Sequence, residues 1–188
     1  MSQSLAQTRC LAIRARFDAA MGRDDAYRAA GAQVAALTHD LSGEPWARGL
    51  LEPAVGLCAL VRGEAEQAAN AFAAALDVAR DRQVRNPEVV PHYGDLIEAL
   101  VMAGRAGDAI PVLQALQHRA NESGQGSALA IAARCSGMLA PTDGFEPHFA
   151  SALDEHLRSR QPFEEARTSL LLGERLRRID LAISARLD

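Results

Sequence analysis

Apolar residues along this chain recur every three or four positions in runs of ten to twenty, and no run alternates as a strand would. That spacing predicts helices over about 4–20, 25–39, 46–62, 64–82, 91–103, 106–120, 127–139, 144–159 and 162–178, with a short last one at 181–187. The breaks carry the residues that stop helices. Gly22 ends the first run, and Asp24 is placed to cap the second. "SGEP" at 42–45 reads as a loop with Ser42 as a cap, Gly63 and Gly104 are stops, and "NESGQG" at 121–126 and "APTDG" at 140–144 are loops. Paired across the short turns, the helices make antiparallel hairpins over about 4–39, 46–82, 91–120, 127–159 and 162–188, the last cut short.

A repeat runs through four of these hairpins. Gly56, Gly63, Ala68, Phe72 and Ala75 fall at small, turn, small, large and small positions. Tyr93, Leu96, Leu100, Gly104, Ala109 and Leu113 repeat the frame, Ala133, Phe149 and Ala152 do so more loosely, and Leu172, Gly173, Leu176, a turn near Asp180 and Ala185 follow. The equivalent small positions, Gly56, Ile97, Ala133 and Gly173, are 41, 36 and 40 residues apart. The hairpin at 4–39 keeps the helices without the motif. This frame is similar to that of tetratricopeptide repeats, whose units cover each other's apolar faces by stacking. The expected fold is all-α, with antiparallel hairpins stacked as a tetratricopeptide-like right-handed superhelix in one domain spanning 1–188.

Composition agrees. Hydrophobic residues make up 48% and aromatics 4%, so the core is built from alanine and aliphatic side chains. All 20 basic residues are arginine, a bias of high-GC bacterial genomes. The net charge of −4 excludes a basic nucleic-acid footprint over the whole chain. Cys10, Cys58 and Cys135 lack metal-ligand spacing and read as small buried thiols in a reducing compartment. No signal sequence is present, and "LLEPAVGLCALV", interrupted by Glu52 and Pro53, is too short to span a bilayer. A cytoplasmic protein is expected, with no membrane contact.

Catalytic constellations are missing from the sequence. There is no lysine for a P-loop, no G-x-S-x-G elbow and no H-E-x-x-H helix. His39, His92, His118, His148 and His156 fall near helix ends or on polar faces, and His148, Asp154 and His156 read as solvated surface. No catalytic, cofactor or metal residue is assigned, and no enzyme activity is expected.

The surface that the frame singles out is the inner groove, lined by the first helix of each hairpin. Leu57, Glu98, Arg134 and Glu174 share one position; Val61, Met102, Met138 and Arg178 share another, with Arg177 beside them. Such a groove suits a peptide, a partner helix or a small effector. The plainer alternative is that Glu98, Arg134 and Glu174 form an ion-pair ladder of small worth. Met102 and Met138 suit an adaptable binding surface, and equally a buried core.

In "QPFEEARTSLLLGERLRR" at 161–178, Pro162 opens a helix, and Gly173 reads as the small residue that lets a partner helix approach. Glu164 and Glu165 complement the helix N-terminus, and Arg175, Arg177 and Arg178 its C-terminus. A half-built last hairpin leaves an apolar face, so a homodimer through the C-terminal hairpin is expected.

Residues 160–178, together with "LIEALVMAGRAGDA" and "AARCSGMLAP", resemble the tetratricopeptide-like region of large ATP-binding LuxR-family (LAL-type) transcriptional regulators. The likeness covers roughly 45–185. It implies a regulatory module that binds a protein partner or small effector and couples it to transcription. In that family ATP and DNA belong to an ATPase and a helix-turn-helix domain, neither of which is in this chain, so the resemblance implies no cofactor and no direct nucleic-acid contact for these residues. It also implies an excised segment or a stand-alone relative. A generic tetratricopeptide scaffold is the alternative reading, and a small helical enzyme the third.

Overall fold

The computed structural model describes residues 2–38, 51–81 and 90–184. Among them every regular element is an α-helix: α1 (Ser2–Ala20), α2 (Asp24–Thr38), α3 (Glu52–Val61), α4 (Ala65–Asp81), α5 (Val90–Met102), α6 (Ala106–Ser123), α7 (Gly126–Leu139), α8 (Glu146–Arg158) and α9 (Pro162–Ser184). The loop read at 42–45, the start of the helix read at 46–62, the segment 82–89 and His39 lie outside the described residues. No described helix is long and apolar enough to cross a membrane. The chain divides into two compact units, Met1–Arg105 and Ala106–Asp188.

In the first unit α1 packs on α2 and α3, α3 on α4, and α4 on α5. Part of its interior is built from small side chains: Ala15, Ala30 and Ala54 form one buried cluster, with Tyr27 and Leu51 against it. Small residues let helix axes approach closely. One close approach joins α3 to α4, where Gly56 faces the fully buried ring of Phe72.

Three turns of this unit are built alike. Gly22, Gly63 and Gly104 each adopt a left-handed φ, of 66°, 75° and 74°. Around each, two bonds run back into the preceding helix: Arg23 and Gly22 donate to the carbonyls of Asp18 and Ala19, Glu64 and Gly63 to Ala59 and Leu60, Arg105 and Gly104 to Leu100 and Val101. This is a Schellman ending, which satisfies helix carbonyls that would otherwise lack donors. The three glycines are 41 residues apart, at 22, 63 and 104. Seven residues before each stand Ala15, Gly56 and Ile97, all buried. The first hairpin therefore does carry the small-and-turn spacing, with Ala15 and Gly22. The sequence frame overlooked it because Tyr27 and Gly31 replace the small and large residues of its second helix.

In the second unit α6 packs on α7, α7 on α8, and α8 on α9. The loop read at 121–126 narrows to Gly124 and Gln125, since α6 continues to Ser123 and α7 begins at Gly126. Phe149 packs over Gly137, which takes the role given to Ala133 in the sequence frame. Phe145 meets Phe149 edge-on at 6.2 Å.

Two expectations for the last helix are corrected. The turn near Asp180 is absent, because α9 runs unbroken from Pro162 to Ser184. Arg175, Arg177 and Arg178 therefore lie inside the helix and do not complement its C-terminus. Arg175 serves another helix instead: its guanidinium donates to the Met138 carbonyl at 2.6 Å and to the Ala140 carbonyl, and lies 4.8 Å from the Phe145 ring. It thus closes the C-terminal end of α7. Gly173 is the second correction. It is exposed, and no described atom lies within 4 Å of where its Cβ would stand, so it is no packing site among the described residues.

Candidate interaction surface

The three turns of the first unit are stitched side by side by ion pairs. Arg62, just before Gly63, bonds Asp24 in the first turn of α2. Arg105, just after Gly104, bonds Glu66 in the first turn of α4 at 3.0 Å. Each arginine thus reaches back to the first-turn acid of the preceding hairpin, where the carboxylate also complements the helix N-terminus. The Arg62 bond holds the Asp24 carboxyl below its ordinary range, against the opposing effect of burial. Cys58 lies against the same carboxylate at 3.8 Å, and burial pushes its thiol up.

Two residues before Gly63 and Gly104 stand Val61 and Met102. Both are open to solvent, at 62% and 39% exposure. One helical turn deeper, Leu57 and Glu98 are buried. Nearby, Arg16 of α1 reaches the buried Asp95 of α5 at 3.3 Å. Of the residues assigned to the groove, the accessible pair in this unit is Val61 and Met102, held in equivalent places by equivalent turns.

In the second unit the assigned residues separate. Arg134 is buried at 1% exposure, where Nη1 donates to Glu164 at 2.5 Å and to Thr168 at 3.4 Å. Glu174 pairs with Arg178 at 3.6 Å, so a bridge from Arg134 to Glu174 is not how either charge is satisfied. Met138 is buried; Arg177 and Arg178 are exposed.

His156 is fully buried rather than solvated. Its Nδ1 faces the Gln161 Oε1 at 3.2 Å. An amide oxygen only accepts, so Nδ1 carries the proton and Nε2 is a bare lone pair, with no partner among the described residues. Burial holds this ring below its ordinary basicity; the Gln161 bond raises it, the Arg134 charge lowers it, and the charges of Glu164 and Glu165 raise it. The bonds of Gln161 and Arg160 to His156 and Leu157 form a fourth Schellman ending, with Arg160 itself left-handed at φ 53°. Arg134, His156, Glu164 and Thr168 together make a polar seam among α7, α8 and α9, buried except at Glu164, which is partly exposed.

Glu164, Thr168 and Gln161 are not legible as polar partners in the sequence, since all lie in or just before the first two turns of α9, which composition alone reads as surface. The equal spacing of Gly22, Gly63 and Gly104 was the available signal for the first hairpin. Among the described residues no group of three or more histidine, cysteine, aspartate or glutamate side chains could hold a metal ion. No protein-family model, no curated protein and no solved structure matches this chain.

Proposed function

We propose that the chain is a non-catalytic helical-repeat interaction module, its hairpins stacked in the right-handed tetratricopeptide manner, that takes a protein segment or small effector against the edge marked by Val61 and Met102. The observation that carries this reading is the pair of equivalent apolar side chains left in solvent beside turns joined by ion pairs. Rigid turns present both residues at a fixed spacing, which is what docking of an apolar segment needs. In the second unit Arg134 is committed inside the protein, to Glu164 and Thr168, and is not presented to a ligand.

The likeness of residues 96–109, 132–141 and 160–178 to LuxR-family regulators supports a cytoplasmic bacterial setting in which such binding is coupled to transcription. Within that setting, contact with ATP and DNA falls to other domains. The test is co-purification from the producing bacterium with native mass spectrometry, comparing the natural chain with Val61→Glu/Met102→Glu. Loss of the bound protein or small molecule from a double variant with unchanged circular dichroism supports the reading. Retention of the same bound species contradicts it.

A further inference from the structure

The long helix α9 carries a face that no described residue covers. Phe163, Ala166, Leu170 and Gly173 are all exposed, Phe163 at 56% and Leu170 at 64%. They are spaced three, four and three residues apart, the seam along which helices pair. Leu176, also exposed, flanks the seam. The opposite side of the same helix is committed inside the unit, through buried Thr168, through Glu164 on Arg134, and through Arg175 on the end of α7.

The order along this face is large, small, large, small. Phe163 and Gly173 lie five residues either side of Thr168, and Ala166 and Leu170 two residues either side. Reversing the helix about Thr168 therefore exchanges large residues for small ones. A two-fold contact requires that if one residue meets a second, the second also meets the first. This face meets that condition: Phe163 of each copy would fall on Gly173 of the other, and Ala166 on Leu170. Gly173 supplies a second, separate indication. A glycine inside a helix lowers stability relative to alanine, and none of the described residues packs into the space it leaves.

We infer that α9 is a docking surface for a second copy of this chain, the two α9 helices antiparallel about a two-fold axis that crosses the exposed face midway between Ala166 and Leu170. The phenyl ring of Phe163 fills the space over the partner's Gly173, and the leucines cover the alanines. The contact uses one face of one helix, so it is small and concentration-dependent. It stands independently of the edge formed by Val61 and Met102.

Sedimentation equilibrium over a range of concentrations tests it. The natural chain is expected to form a reversible dimer, and Leu170→Arg to weaken it by at least about tenfold, since each dimer loses two buried leucines. Leu170 is exposed, so circular dichroism of the variant should not change. Orientation is read from disulfide formation in a Cys10→Ser background. Phe163→Cys mixed with Gly173→Cys is expected to cross-link, and each alone is not. A natural chain that stays monomeric, a dimer indifferent to Leu170→Arg, or single-cysteine variants that cross-link by themselves would each overturn the inference.

Discussion

Gly56 and Phe72 share one packing position: a methyl group on Gly56 would stand 2.6 Å from the ring Cζ and 2.7 and 2.8 Å from the two Cε atoms. Phe72 is fully buried, so the ring has nowhere to go. Gly56→Ala should therefore destabilise the chain by roughly 1–2 kcal/mol, overpacking of about 1–3 kcal/mol being partly offset by the helix preference of alanine. The loss should shrink in a Phe72→Leu background, a coupling that urea denaturation of the four chains measures directly.

Gly173 should behave in the opposite way. With open space around its missing Cβ, Gly173→Ala adds only helix propensity, and should raise stability by about 1 kcal/mol in dilute solution. A lower thermal midpoint for this variant would show a close contact within the chain.

Arg160 holds the left-handed position that glycine fills at 22, 63 and 104. A side chain there is strained by about 1–2 kcal/mol. Arg160→Gly should accordingly gain roughly 0.5–1 kcal/mol, part of the relief being lost to the freer unfolded chain. Differential scanning calorimetry should show a higher midpoint, and an unchanged or lower one would mean the Arg160 side chain stabilises the turn by other contacts.

His156 links stability to pH. Its folded basicity lies below the ordinary value of 6.5, first because of burial and then because of Arg134, while Gln161, Glu164 and Glu165 act the other way. The unfolded ring therefore takes a proton first as pH falls. The stability from this residue is fully present above about pH 6.5 and is lost as pH falls from there toward the folded value. His156→Gln removes that proton linkage, so its unfolding free energy should vary less between pH 7 and 5 than that of the natural chain. Parallel curves for the two would falsify this assignment.

The helices and most of their limits were legible because they depend on local chemistry: apolar spacing, glycine stops, and proline near helix starts. The hairpin of Gly56 and Phe72 was legible for the same reason, since both residues belong to one short stretch. What escaped was set by partners distant in sequence. Gly173 reads as a packing residue from its own stretch, yet α9 has no neighbour on that side among the described residues. Arg175 looked like a helix-end charge, yet its acceptors are the carbonyls of Met138 and Ala140. His156 looked solvated because its neighbours Asp154, Glu155 and Arg158 are polar, while its own ring turns inward to Gln161. Of the groove residues, equal register went with equal exposure in the first unit, where Val61 and Met102 are both open and Leu57 and Glu98 both buried; at the register of Val61 and Met102, the second unit has Met138 buried and Arg178 exposed.

The proposed function requires that the edge carrying Val61 and Met102 meet a ligand or partner. Site-specific photo-crosslinking in the producing cell tests it most directly, with benzoylphenylalanine placed at Met102 and, as a control, at exposed Arg80 of α4. One discrete adduct is expected from position 102, of protein or small-molecule mass, and none of that mass from position 80. Equal adducts at both positions, or no adduct at 102, would contradict it.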